Sequence, residues 1–325
     1  MTEAAAGGGR ARAARPGGRV VCVGGAVVDR LLHLLAPAVA GTSNPARAAA
    51  SYGGVARNVA ENLARLGADV ALVACVGDDA AAPGLLAHAA AAGVDVAGVR
   101  RVPGATTAEY VAVLAPSGDL EIGVAAMDVL TQVTPDDVAA ALAGGPQVTW
   151  VFLDCNLTAE ALAGSIAVCR AAGARVAVDA VSTAKAVRLP ADLRGVDVLF
   201  CNVDEAQALA AATGAVLTVG PEDGGWETEL AAAAQRRGAA AVVLTRGPRG
   251  PLVVTATEFA SMDVVPADAV DVTGAGDALV AGTLAGLLAG RDLPRAVAVG
   301  ARVAARTVTS EHTVVPDLTP EDLLP

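Results

Sequence analysis

The chain has 325 residues, with 34 acidic against 23 basic side chains, a net charge of -11 and a pI near 4.7. Its aromatic complement is three Phe, two Trp and two Tyr. An acidic surface opposes binding to a phosphate backbone and so few rings provide poorly for base stacking, so a nucleic-acid partner is excluded. Residues 1–18, with three consecutive glycines and Arg10, Arg12 and Arg15, lack an apolar segment and read as a disordered extension rather than a secretory signal. From residue 19 to 325 a single domain is expected. Short β-branched runs at Val20–Val23, Val70–Cys75, Val148–Leu153, Arg175–Val178, Val196–Phe200 and Ala241–Thr245 predict strands. Between them Ala56–Leu66, Ala81–Ala92, Pro135–Leu142, Ala159–Ala172, Asp204–Ala212 and Glu227–Arg237 predict helices. Continuous apolar strands alternating with helices predict an α/β fold, a doubly wound, mostly parallel sheet covered on both faces.

One segment breaks the rhythm. Thr106–Leu114 and Leu120–Ala125 are two extended runs joined by Pro116–Asp119, which predicts a hairpin. Two placements are open: a small β-lid over about residues 103–126, or an edge hairpin of the main sheet. Ala278–Gly290 is the longest uncharged apolar stretch and is too short to span a bilayer, so a soluble cytoplasmic protein without a membrane partner is expected.

Lys185, the single lysine, lies in Ser-Thr-Ala-Lys-Ala with no glycine beside it, which excludes a Walker P-loop. Cys22, Cys75, Cys155, Cys169 and Cys201 are scattered, as are His33, His88 and His312; neither a zinc cluster nor a disulfide framework is readable. A phosphate device without lysine is nevertheless present in Val270-Asp271-Val272-Thr273-Gly274-Ala275-Gly276-Asp277, which opens an apolar helix running to Leu288. A turn of small residues at a helix start aims backbone N–H groups at an anion. Asp277, in the first turn, could accept the proton of an attacking hydroxyl, or could simply be an acidic residue stabilised by the helix dipole. A second glycine-marked helix start, Tyr52-Gly53-Gly54-Val55-Ala56-Arg57-Asn58-Val59-Ala60-Glu61, places an amide one turn in; Arg57 and Glu61 at i and i+4 read equally as a helix ion pair.

Together these two segments resemble the signature regions of the ribokinase-like (PfkB-type) family of sugar and nucleoside kinases, and the resemblance runs from about residue 19 to 318. It implies a ribokinase-like fold with ATP and Mg2+ as cofactors and a monovalent cation (K+) as a third candidate. It further implies that Asp277 is the general base, with Gly274, Ala275 and Gly276 as the anion hole. Gly24-Gly25-Ala26-Val27-Val28-Asp29 is similar to the family's first strand, which makes Asp29 the carboxylate for two ribose hydroxyls, with Asn44, Gly53, Gly54 and Asn58 beside it on the acceptor side. Asn202-Val203-Asp204-Glu205 is similar to the element that arranges waters around the nucleotide's magnesium, and Thr245, Gly247, Gly250 and Thr273 fall where the nucleotide rests. The hairpin falls where the family carries its lid, and a homodimer through that lid is a further candidate.

Within the family, Gly41–Pro45, the run from Gly53 to Ala64, Val181–Ala186 and the tail Thr309–Val314 look like the pseudouridine kinases. That resemblance implies transfer of phosphate from ATP to the 5'-hydroxyl of pseudouridine, feeding a glycosidase that splits the product to uracil and ribose 5-phosphate. Ribokinase or another sugar or nucleoside kinase is the alternative, and a ligand-binding regulator on a kinase scaffold is the non-enzyme one. A dinucleotide oxidoreductase fails because Gly24-Gly25 has no third glycine in register. Two departures stand near the nucleotide: Ala180 follows Asp179, and Cys201 precedes Asn202, where proline is usual. Lys185 is either a ligand contact or a solvated side chain, and His312 is read as structural.

Overall fold

The computed structural model describes residues 16–215, 217, 218, 220 and 225–324; most of the expected N-terminal extension lies outside them. The main sheet is built from β1 (Arg19–Val23), β4 (Asp69–Gly77), β5 (Val99–Val102), β8 (Val148–Asp154), β9 (Arg175–Asp179), β10 (Val198–Asn202), β11 (Ala241–Thr245), β12 (Leu252–Thr255) and β13 (Phe259–Ser261). Their spatial order is β13-β12-β11-β10-β9-β8-β1-β4-β5, parallel from β11 to β5 and antiparallel at β12 and β13. The doubly wound, mostly parallel sheet expected from the sequence is present.

Both faces of each central strand are apolar because both are covered. Val21 and Val23 of β1 belong to the core on the face covered by α3 (Pro135–Ala143), α4 (Ala159–Ala171), α5 (Thr183–Ala186), α6 (Val203–Ala212) and α7 (Trp226–Gln235). Val20 and Cys22 belong to the core on the other face, covered by α1 (Val55–Arg65), α2 (Ala81–Ala91), α8 (Ala275–Leu288) and α9 (Leu293–Val308). Side chains alternating across a strand produce this split. The five cysteines are buried, free and part of these cores.

The hairpin is not an edge hairpin of the main sheet, nor does it stand alone. β6 (Glu109–Leu114) and β7 (Leu120–Ala126) join β2 (Val27–Leu34) and β3 (Ala46–Gly53) in a separate four-stranded sheet ordered β3-β2-β6-β7. The lid is therefore wider than the hairpin. β2 leaves the main sheet directly after β1, and its Asp29 pairs with Ser51 of β3 and Tyr110 of β6. Leu120, Ile122 and Val124 of β7 are each more than half exposed. Among the described residues no helix is long and apolar enough to cross a membrane.

Candidate active site

β1 pairs with β4 on one side and β8 on the other, so the strand order reverses there and a crevice opens beyond the carboxyl ends of the strands. The chain delivers a polar residue to that edge at each neighbouring strand end: Asp154 from β8, Asp179 from β9, Asn202 from β10 and Thr245 from β11. Asp154 is fully buried and has no cationic hydrogen-bond partner; its carboxylate accepts from Gly25 N (2.8 Å), Ala56 N (3.0 Å) and Asn156 N (2.9 Å). Burial raises its proton affinity while these N–H groups hold it down. The carboxylate thereby ties the end of β1 to the start of α1. Without it three N–H donors would lose their partner, at about 1–3 kcal/mol for each left unsatisfied.

Two helices meet at this edge. α1 carries Asn58, α8 carries Asp277, and Asn58 Nδ2 donates to Asp277 Oδ2 at 2.6 Å. Burial pushes the Asp277 carboxyl up to about 7, against the Asn58 hydrogen bond and the Arg57 charge that favour ionisation. A carboxylate poised near neutrality beside a helix start is suited to accept a hydroxyl proton. Gly274 caps α8 with φ at +80°, and a Cβ there would lie 2.2 Å from Thr313 O, so only glycine fits. Ala275 N–H turns back to Val272 O at 3.2 Å, and the N-cap residue offers no side-chain hydrogen bond. A Cβ built on exposed Gly276 meets nothing within 4 Å. With Ala275 N–H spent on Val272 O, the N–H groups of Gly276 and Asp277 are the first-turn donors left for a ligand.

Asp277 and Gly276 also line a cavity of about 170 Å3 with Asp179, Asn202, Glu205 and Thr245. Asn202 and Glu205 cap α6 reciprocally: Asn202 N donates to Glu205 Oε2 (2.8 Å), and Glu205 N to Asn202 Oδ1 (2.8 Å). Burial raises the Glu205 carboxyl, and burial together with the charges of Glu205 and Asp277 raises Asp179 well above the ordinary carboxylate range. Among the described residues no three His, Cys, Asp or Glu side chains form a direct metal cage. The oxygen donors of Asp179, Asn202 and Glu205 fit a hydrated Mg2+, which keeps its waters and takes one or two carboxylates plus phosphate.

A second cavity, of about 490 Å3, is lined by Thr245, Gly247, Gly250 and Gly276 and by apolar Val264, Val272, Leu279 and Val308. Apolar walls with a few polar groups could take the ring of a heterocycle. Arg246 donates to Gly250 O (2.8 Å) in its own turn and to Ser261 Oγ (2.6 Å) of β13. Thr273 is exposed, its N–H donated to Asp271 Oδ1 at 2.8 Å.

On the lid side Asp29 is partly buried, and burial raises its carboxyl against the charge of Arg57. Its carboxylate lies over Gly53, where a Cβ would come within 1.9 Å of Oδ2. Gly54, at φ +94°, brings its backbone so close to Gly25 that a Cβ would lie 2.5 Å from that carbonyl. Asn44 is not brought to this group: its Oδ1 accepts from Val39 N (2.8 Å), and its Nδ2 donates to Val39 O (2.9 Å) and Thr42 O (3.2 Å). Its amide is occupied in shaping its own loop. Lys185 is not merely solvated; its Nζ donates at 2.6 Å to Oδ1 of Asn156, two residues beyond Asp154. Exposed His312 donates its N–H to Ser310 Oγ, 3.0 Å away.

Asp154 and Asp179 escaped the sequence reading. The signal was there: Val-Phe-Leu-Asp and Val-Ala-Val-Asp are apolar strands each ending on a carboxylate, at the edge where parallel sheets bind ligands.

Comparison with known proteins places this geometry. The chain is 29% identical to the pseudouridine kinase of Escherichia coli (strain K12) over 300 residues, 92% of this chain and 93% of that protein. It is 25% identical to the pseudouridine kinase of Arabidopsis thaliana, covering 91% and 92% of the two. Its fold superposes with a TM-score of 0.80 on an Arabidopsis thaliana ribokinase complexed with ribose and ATP, at 19% identity and with 95% and 98% coverage. The sequence pattern of the pfkB family carbohydrate kinases matches residues 18–320, so this chain, a phosphotransferase by kinship, belongs to the pfkB family of carbohydrate kinases.

Proposed function

We propose that the protein transfers the terminal phosphate of ATP to the 5'-hydroxyl of pseudouridine. The observation that carries the chemical part is the 2.6 Å bond from Asn58 to Asp277, which joins the helix beside the acceptor groups to the uncapped helix start of α8. A hydroxyl laid beside Asp277 would lose its proton to the carboxylate as it attacks. The N–H groups of Gly274 and Gly276 would meet the charge growing on the transferred phosphoryl, while Ala275 N–H is held by Val272 O. Asp29, its carboxylate seated over Gly53, would hold the 2',3'-diol. Bound through water to Glu205 and Asn202, Mg2+ would supply charge neutralisation on the phosphates. K+ is the candidate for a monovalent site.

The substrate part is supported by likeness to two pseudouridine kinases over more than nine-tenths of this chain. In this reading the protein works in the cytoplasm, and its 5'-phosphate product passes to a glycosidase. The exposed Leu120, Ile122 and Val124 support pairing of two lids in a homodimer. A non-catalytic sensor has no need of the base, and Asp277 is present. The test is ADP release with pseudouridine, uridine, ribose and fructose 6-phosphate as acceptors. Pseudouridine should give the highest kcat/KM; another acceptor exceeding it by about tenfold, a difference of about 1.4 kcal/mol in transition-state binding, would replace this reading.

A further inference from the structure

Behind the Asn58–Asp277 bond lies an ion network that the phosphoryl-transfer reading leaves unused. Arg57 is 1% exposed and Glu61 2%. The Arg57 guanidinium donates through Nε to Gly53 O (3.0 Å) and through Nη2 to Tyr52 O (2.6 Å) and to Asn58 Oδ1; through Nη1 it donates to Glu61. Glu61 is braced in turn by Arg65, at 3.0 Å from Nε and 2.7 Å from Nη2, and by His88 Nε2 at 3.2 Å. An i,i+4 pair on a helix surface contributes little to stability, whereas burying one costs desolvation that good geometry only offsets. This pair is buried, and on the Arg57 side its contacts lead to Asn58 and so toward the reacting groups.

The chemistry of the donors fixes what the network does. A guanidinium only donates, so the amide atom of Asn58 facing Arg57 must be Oδ1. Nδ2 is then the atom left for Asp277, whose carboxylate accepts from it. Without the guanidinium the amide is free to rotate by half a turn and present Oδ1, oxygen against oxygen. We infer that Arg57, locked by Glu61, is a positioning residue for phosphoryl transfer: it sets the Asn58 amide so that Nδ2 holds the Asp277 carboxylate toward the acceptor hydroxyl. This rests on the reading of Asp277 as the base.

The test measures kcat and the ATP KM for Arg57→Met, Asn58→Ala, their double variant, and Arg57→Met/Glu61→Gln, using whichever acceptor the wild type phosphorylates. Glu61→Gln is included because Arg57→Met alone leaves a buried carboxylate short of a partner and can fold poorly. In Arg57→Met/Glu61→Gln, kcat should fall by roughly 10- to 100-fold, the cost of a misplaced catalytic group, with the ATP KM within about twofold of wild type. In the Asn58→Ala background Arg57→Met should lower kcat by less than about threefold, because no amide remains to be oriented. A kcat in Arg57→Met/Glu61→Gln within about twofold of wild type, or losses that multiply fully in Arg57→Met/Asn58→Ala, would overturn the inference while leaving phosphoryl transfer standing. A wild-type protein that turns over no sugar or nucleoside would overturn both.

Discussion

Two helix starts face the same crevice and are built in opposite ways. At the start of α1 the protein fills its own N–H groups: Ala56 N donates to buried Asp154 and Arg57 N to Gly25 O, and the adjoining glycines are pressed against Asp29 and the Gly25 carbonyl. At the start of α8 no N-cap side chain closes the turn, and the space over Gly276 is open. The start of α1, the acceptor side in the proposed reading, is thus pre-shaped by internal contacts, whereas the start of α8, the proposed nucleotide side, is left open. Glycine has a different meaning at each. Gly53 and Gly54 are required by the folded chain itself; at Gly276 the fold makes no such demand, and in the proposed reading the ligand does.

The largest expected effect falls on the residue between the two starts. Asp277→Asn keeps the hydrogen-bonding shape but removes the proton acceptor, and kcat should fall by roughly 10²- to 10⁴-fold with little change in nucleotide affinity. The same variant should melt higher at pH 8. Because the folded carboxyl is pushed up to about 7, above its unfolded value, the folded state binds its proton more readily than the unfolded one. Ionising it costs stability as pH rises from the ordinary carboxylate range to about 7, a cost the amide lacks. A less stable but active variant would mean that the carboxylate only supports the helix start.

The glycines sharpen the contrast. Gly53→Ala should displace Asp29 and raise the acceptor KM by roughly tenfold or more with the ATP KM preserved, since a misplacement of this kind costs up to ~10²-fold. Gly276→Val should do the reverse, raising the ATP KM while leaving the melting temperature within a few degrees, because its side chain meets only open space. If both variants shifted the same constant, the division between the two sides would be wrong. Glu205→Gln, which leaves α6 capped less well, should weaken activity and raise the Mg2+ concentration needed for half-maximal rate. The smallest effect is the pH profile: kcat/KM should fall on the acid side with an apparent pKa near 7, the titration of Asp277 within its cluster of carboxylates.

The parallel core was legible because β1, β8, β9 and β11 are unbroken apolar runs, a pattern few other structures satisfy. The lid was legible only in half. β3 reads Ala-Arg-Ala-Ala-Ala-Ser-Tyr-Gly, rich in the best helix former, and becomes a strand by pairing with β2 along its full length. α9 went unread although its start is marked: Pro294 lies in its first turn, and Asp292 caps it, Oδ1 accepting from Arg295 N at 3.0 Å. Asp277, Gly274 and Asn58 were readable because glycines mark the helix starts that carry them. Asn44 was not, since a loop amide is equally able to bind a ligand or its own backbone, and here it takes the second course. Arg57 and Glu61 read equally as a plain helix ion pair because spacing reveals which residues share a helix face and says nothing about what covers that face.

The most direct measurement is the structure of the product. After incubation with ATP, Mg2+ and pseudouridine, phosphorus–proton correlation spectroscopy should show one new phosphate coupled to the two 5' protons of the ribose, as expected if Asp29 holds the diol and Asp277 receives the 5'-hydroxyl proton. Phosphate on a 2'- or 3'-oxygen, or release of inorganic phosphate with pseudouridine unchanged, would contradict it.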